Sequence, residues 1–277
     1  MIDVPEEYEL VEFIAGGKIG KVYKAKNLET NELVAIKIIE NKRKLKDHIS
    51  RDREIPKLVI HDNIIKVIDF CEKKDHVFIV YPYIEGSMSI VRMLREKKII
   101  LKDCEQVVYM VKIMIQVCDA IKFMHSRHVV HRDIKPNNII ISGDSPILID
   151  FDLAATLKDD DDDDDPNLFP VHWGIVGTPN YLDPEIWKSD DSIDYPLADI
   201  YSFGITLYYI FNKRKYPYAS KSMEDLEYAI RYNKPIQSNT GIPQLDRLIM
   251  ITINKNPDMR PGIDQIKSYL EKLIKPL

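Results

Sequence analysis

The segment HRDIKPNN, His131–Asn138, followed after a short apolar stretch by LIDFD, Leu148–Asp152, sets an ordered group of polar residues into a chain otherwise patterned for burial. Asp133 can accept a hydroxyl proton, Lys135 can neutralise a transferring anionic group, and Asn138 offers an amide oxygen to a cation. Asp150 stands twelve residues beyond Asn138, at a strand end, and adds a carboxylate. Two oxygen ligands beside phosphates suit Mg2+, which takes few protein carboxylates and keeps several waters. Each residue alone reads as ordinary surface chemistry; the ordered set does not.

The pieces between these motifs, NNIIIS and PILIDF, flank a Gly-Asp-Ser turn at 143–145 and predict a β-hairpin. Upstream, CEQVVYMVKIMIQVCDAIKFMHS carries Ile113, Val117, Ala120, Ile121 and Met124 at helical spacing, a core-facing stripe. From Tyr8 to Tyr83 short runs rich in β-branched and aromatic residues predict strands, interrupted by a charged helix over Lys42–Leu58. Asp150–Glu185 is irregular and long, which in an ordered domain points to function. The rest reads as helices, in ADIYSFGITLYYIFN, MEDLEYAIRYN, IPQLDRLIMITI and GIDQIKSYLEKLI. The pattern predicts an α+β chain of two lobes, a β-rich one over 1–84 and a larger helical one over 85–277, with a hinge near Pro82–Glu85.

At 277 residues and 45% apolar composition the chain can bury a sizeable core. Its 39 basic and 44 acidic residues give a net charge of −5, but without the run Asp159–Asp165 the balance is 39 against 37. The acidity is local, and no nucleic-acid surface is indicated. Cys71, Cys104 and Cys118 lack CxxC spacing, so neither a disulfide framework nor a zinc site is expected and a reducing compartment fits. The N-terminus lacks an apolar h-region, and the longest apolar run is too short to span a bilayer. An intracellular chain, cytoplasmic or nuclear, is the expectation.

Two further signals lie upstream. IAGGKIGKV, Ile14–Val22, suggests a glycine turn whose backbone N–H groups approach an anion closely. VAIK then places Lys37 on a strand, from which an ammonium can reach back to phosphate oxygens. Taken together and in this order, the motifs make the sequence resemble a eukaryotic-type protein kinase from about Tyr8 to Ile274. The resemblance implies a bilobal kinase fold and transfer of the ATP γ-phosphate to protein hydroxyls. Lys37 matches the lysine on the α/β-phosphates, Asp133 the catalytic base, and Lys135 the phosphate-contacting lysine. Asn138 and Asp150 match the Mg2+ ligands. GTPNYLDPE matches the end of the activation segment, with Thr178 against the catalytic loop and Glu185 expected to pair with Arg260. Asp199 of DIYSFG should steady the catalytic loop. Lys135 and Thr178 resemble the serine/threonine branch. Gly17 and Gly20 fall on the second and third glycines of the nucleotide loop. Ile14, Ala15, Val22 and Ala35 join them in the implied nucleotide-binding set, with Ile140 as its apolar floor. Tyr81 should limit the depth of the adenine pocket, and the backbone of Ile84 should supply the donor to adenine.

The sequence also departs from the family pattern. Ala15 replaces the first glycine. Glu54 is the candidate partner of Lys37; counting back from HDNII falls on Asp52 instead, but that choice would put Pro56 where an apolar i+4 residue is wanted, and proline is awkward in a helix. DFD replaces DFG, as in the kinases that interact with MAP kinases; aspartate narrows the torsion choices that glycine leaves open, though it tolerates left-handed backbone better than most residues, and Asp152 is expected to bias the resting enzyme toward an inactive arrangement. No Ser, Thr or Tyr lies between Thr156 and Thr178, so the usual phosphate acceptor is missing. The seven aspartates 159–165 have three readings: a solvated spacer, a phosphate mimic that pairs with Arg132, or an attractor of basic substrates.

A pseudokinase scaffold, resting on Ala15, Asp152 and the position of Glu54, is the other functional reading; a small-molecule kinase is disfavoured by GTPNYLDPE. DNIIKVIDFCEKKDHVFIVYPYIE is reminiscent of the cell-division-cycle kinase that licenses replication origins, which would imply a regulatory subunit. Protein substrates and an activator are the expected partners, with no membrane and no direct nucleic acid.

Overall fold

The computed structural model describes residues 2–17, 19–101, 103–157, 169, 175–188 and 193–275. The aspartate run, and with it the expected contact to Arg132, lies outside the described residues.

Five antiparallel strands open the chain: β1 (Tyr8–Gly16), β2 (Gly20–Asn27), β3 (Leu33–Glu40), β4 (Asp69–Glu72) and β5 (His76–Pro82), in spatial order β1-β2-β3-β5-β4. Side chains of a strand alternate between faces, and β3 uses both. Val34, Ile36 and Ile38 pack with Ala25, Phe78 and Val80 on one face, while Ile39 joins Val77, Ile79 and Tyr81 in the main core on the other. Lys37 is set on that second face by the same alternation, opposite Val22 on β2 and Ile79 on β5. Gly20 is required by close approach: a Cβ there would lie 2.8 Å from the Ile38 carbonyl oxygen and 2.9 Å from Ile39 Cγ1.

The helix between β3 and β4, α1 (Lys46–Leu58), follows one 3-10 turn at Arg43–Leu45. It buries Ile49, Asp52, Ile55 and Pro56 toward the sheet. Pro56 stays inside the helix despite the donor it lacks, buried beside Ile55.

Beyond β5 come β6 (Met88–Ser89), α2 (Ile90–Arg95) and α3 (Cys104–Ser126), then the short strands β7 (Val129–Val130), β8 (Ile139–Ser142), β9 (Ser145–Leu148) and β10 (Ala155–Thr156). Asp103 caps α3 by accepting from Glu105 N at 3.2 Å. The stripe Ile113, Val117, Ala120, Ile121 and Met124 is buried as its spacing predicts. β8 and β9 form the expected hairpin about Gly143, whose φ of +57° needs a residue without Cβ strain. Among the described residues that follow, four α-helices stand: α4 (Tyr195–Phe211), α5 (Met223–Tyr232), α6 (Pro243–Thr252) and α7 (Ile263–Ile274). α4 starts on an Asp194 cap with Pro196 in its first turn and is buried along almost its whole length. It forms the post on which the catalytic loop is hung. The result is a bilobal α+β fold, a small antiparallel sheet over a mainly helical body. No helix among the described residues is long and apolar enough to cross a membrane.

Candidate active site

Lys37 is the joint between the two halves. Its Nζ lies 2.7 Å from Asp52 Oδ2 and 2.7 Å from Asp150 Oδ1, and the residue is only 8% exposed. Burial alone would push this ammonium's pKa down, but the carboxylates of Asp52, Asp150 and Asp152 overcome that and hold it well above its ordinary value. Asp150 shows the reciprocal effect: burial raises its pKa, and Lys37 more than offsets this, leaving the carboxyl below its ordinary value.

The partner of Lys37 on α1 is therefore Asp52, and the expectation of Glu54 is corrected. Asp52 lies on the buried face with Ile49, Ile55 and Pro56, whereas two residues further turns the helix by about 200°. Glu54 faces outward, where it pairs with Arg53 and with Lys57 at 3.0 Å. Asp52 also accepts the Phe151 N–H at 3.0 Å, so one carboxylate ties α1 to the β3 lysine and to the start of the activation segment. Its second role was not anticipated from sequence.

Asp133 sits in a loop pinned from below. Asp199 on α4 accepts the backbone N–H of His131 and of Arg132, each at 2.8 Å, and His125 Nε2 approaches it at 3.0 Å. Burial works against the Asp199 carboxylate, and the bonds from His125 and His131 hold its pKa below the ordinary value. The loop in turn aims Asp133. Thr178 Oγ1 donates to Asp133 Oδ1 at 2.6 Å, Lys135 Nζ to Oδ2 at 2.5 Å and to Thr178 Oγ1 at 2.6 Å. Asn138 Nδ2 donates to the carbonyl and the carboxylate of Asp133, both at 3.0 Å. That commits its nitrogen and leaves its amide oxygen as the free end. Ile149 N donates to the Asn138 carbonyl at 2.9 Å, which brings Asp150 beside it.

The remaining expected positions fall around this centre. Val22 and Ala35 lie beside Lys37 and Tyr81 in the register of three adjacent strands. Ile14 and Ala15 are on β1, and Gly17 N bonds the Gly20 carbonyl at 2.9 Å across the turn. Tyr81 is buried, and desolvation pushes its phenol well up. Ile84 packs against the core just past β5, and Ile140 is half-buried on β8.

The end of the activation segment departs from the expected pairing. Arg260 pairs with Asp183, not with Glu185: Nη1 meets Asp183 Oδ2, and Nη2 lies 3.2 Å from Oδ1. Arg260 also donates to the carbonyls of Leu197, at 2.9 Å, and Asn254, at 2.7 Å. Glu185 begins a short 3-10 turn that swings it outward to Lys188 at 2.7 Å. The shorter acid reaches the buried guanidinium because Asp183 itself is buried. Breaking such a pair leaves an uncompensated buried charge, so Asp183→Ala should lose about 3–5 kcal/mol, against about 0–1 kcal/mol for Glu185→Gln. Urea denaturation of the two variants checks this.

Asp152 differs from its expected cost. The positive φ values here fall on Arg132 (65°) and Asp150 (69°), not on Asp152, so the aspartate carries no left-handed strain in this arrangement. Its cost is electrostatic. Burial, together with Asp150, Asp52 and Asp133, pushes its carboxyl up to about 7 against the pull of Lys37. An acid raised this way is protonated more readily in the folded chain than in the unfolded one. Its contribution to stability is complete below 3.8 and lost as pH rises to about 7. Urea midpoints of the ligand-free chain across that interval should fall less for Asp152→Asn than for the parent.

The donor set fits a metal completed by phosphate oxygens and water. Asn138 and Asp150 each supply one oxygen, and no cluster of three or more His, Cys, Asp or Glu able to hold an ion exists among the described residues.

Residues 8–270 match the protein kinase domain family. A protein of Acanthamoeba polyphaga mimivirus, provisionally named a serine/threonine-protein kinase, is 44% identical over 265 residues, covering 95% of this chain and 93% of that one. CBL-interacting protein kinase 2 of Oryza sativa subsp. japonica is 30% identical over 94% of this chain, which spans 57% of that relative. Serine/threonine-protein kinase PknD of Chlamydia trachomatis is 28% identical over 96% of this chain, which spans 31% of it. None of these three is named as an origin-licensing kinase. With the family's fold, its lysine–carboxylate joint and its catalytic-loop lattice all in place, the chain belongs to the protein kinase family, on the serine/threonine side.

Proposed function

We propose that the chain moves the γ-phosphate of ATP to serine and threonine hydroxyls of protein substrates, with residues 1–84 forming the nucleotide lobe and 85–277 the substrate lobe. The observation that carries this is Lys37 Nζ held at 2.7 Å from both Asp52 and Asp150. A lysine fixed between two carboxylates is positioned for a phosphate rather than free to fold onto solvent.

In this reading Asp133 orients the substrate hydroxyl and accepts its proton at the carboxylate now shared by Thr178 and Lys135. Lys135 then balances charge on the transferring group, and Lys37 steadies the α/β-phosphates. Asn138 and Asp150 would hold Mg2+, whose charge, when bound, offsets that of the phosphates. Val22, Ala35 and Ile140 enclose the base, Tyr81 bounds its depth, and the Gly17–Gly20 turn covers the phosphates. Catalysis here is positioning and charge neutralisation, with no covalent enzyme intermediate. A regulatory partner is consistent with the CBL-interacting relatives. The test is transfer of labelled phosphate from Mg·ATP to a generic basic protein. Labelled phosphoserine or phosphothreonine supports the reading; a folded chain that binds Mg·ATP without transfer makes it a scaffold.

A further inference from the structure

The Arg260–Asp183 pair leaves Glu185 bound to Lys188 at the surface. A cavity of about 340 Å3 opens between Pro184–Lys188, the last turn of α5 and the loop Lys255–Pro257. We infer that this pocket binds an anionic side chain, a carboxylate or a phosphate ester, on the protein substrate. The inference rests on the kinase reading above and adds a specificity site to it.

Among the described residues, three cations, Lys188, Arg231 and Lys255, line the cavity with one carboxylate, Glu185. This is a local excess of positive charge in a chain whose net charge is −5. Lys188 is bridged to Glu185, and Arg231 uses Nη1 on Glu227 at 2.8 Å. Lys255 has no carboxylate within ion-pair reach among the described residues; its Nζ lies 5.5 Å from the centroid of the Tyr218 ring. Burial lowers its pKa with no acidic neighbour to oppose the shift. A partly desolvated ammonium without a counter-charge gains from any anion that replaces its lost water.

The pocket's two walls are also fixed relative to each other. Arg260 bonds Asp183 on one side and the carbonyls of Asn254 and Lys255, at 2.7 and 3.3 Å, on the other. The buried ion pair therefore acts as a rivet between segments that meet only in three dimensions. Tying them sets Lys255 opposite the 184–188 turn without ordering cost when a ligand arrives.

Its place along the chain makes a substrate the fitting occupant. Pro184 is six residues past Thr178, which donates to Asp133. Six extended residues reach about 20 Å at most, so a peptide whose hydroxyl sits at Asp133 can bring a side chain several residues away to Lys255.

The experiment uses the full chain and a serine/threonine peptide library. Glutamate or phosphoserine is placed at each of the third to eighth positions on either side of the acceptor. For the parent, kcat/KM should rise about tenfold at one spacing, and the ratio of anionic to neutral peptide should fall toward one in Lys255→Gln and Lys255→Gln/Arg231→Gln. The glutamate and phosphoserine arms distinguish the two sources of charge. Anisotropy of the same labelled peptides gives binding without turnover, so an inactive chain still tests the pocket and separates its failure from that of the kinase reading. No anionic preference in either assay, or a preference untouched in variants that melt like the parent, overturns the proposal. Asp190 and Asp191 follow Lys188 in sequence, so Asp190→Asn/Asp191→Asn is measured alongside. Anion binding that appears only in that variant also overturns it, because the pocket would then serve the chain's own carboxylates.

Discussion

Asp52→Ala is expected to lower kcat/KM by about 100-fold, the scale of loss when a reacting group is misplaced by about an ångström. The reason is that this single carboxylate does two jobs. It holds Lys37 at 2.7 Å and accepts the Phe151 N–H at 3.0 Å. Without it, Lys37 retains only Asp150, which the proposed function also assigns to Mg2+, and a buried backbone donor is left without its acceptor. Removing one member of a buried pair should cost about 3–5 kcal/mol besides. Glu54→Gln is the control: its exposed pairs with Arg53 and Lys57 should contribute about 0–1 kcal/mol and nothing to turnover. Steady-state kinetics and urea melts of both variants decide between the two acids. Equal loss of activity in both would sink the assignment of Asp52.

Asp133→Asn should lower kcat by about 100-fold to 10,000-fold, the range attributed to a positioned general base. Asparagine keeps the shape, and its single amide oxygen can still accept from Thr178 or from Lys135, though not from both places, since the two donate to different carboxylate oxygens. The loop should therefore stay in place, because its anchors are the two backbone bonds to Asp199 and not the Asp133 side chain. KM for ATP and the melting midpoint should stay near the parent's. A variant that loses both turnover and fold would instead make Asp133 a structural residue.

Most of this architecture was legible in the residues. The alternation in VAIK put Lys37 on one face of β3, the 3.6-residue stripe of α3 was buried as written, and the Gly143 hairpin formed where its turn chemistry required. The two misreadings share a cause. On α1, the awkwardness of Pro56 counts against Asp52 in the sequence, but the helix keeps Pro56 all the same, whereas a 200° error in facing cannot be repaired. At the end of the activation segment, counting family positions favoured Glu185, but side-chain length and a 3-10 turn decide which acid reaches a buried guanidinium, and neither is written in a motif. Asp152 was read through backbone torsion, yet what it meets is a crowd of carboxylates brought together only by folding. Local pattern was readable; the meeting of residues a hundred positions apart was not.

The most direct measurement is transfer of label from γ-labelled Mg·ATP to a protein acceptor, followed by phosphoamino-acid analysis, for the parent beside Asp133→Asn. The account predicts labelled serine or threonine from the parent and a loss of at least about 100-fold in the variant. Equal label from both proteins, or none from a parent chain that folds and binds nucleotide, would contradict it.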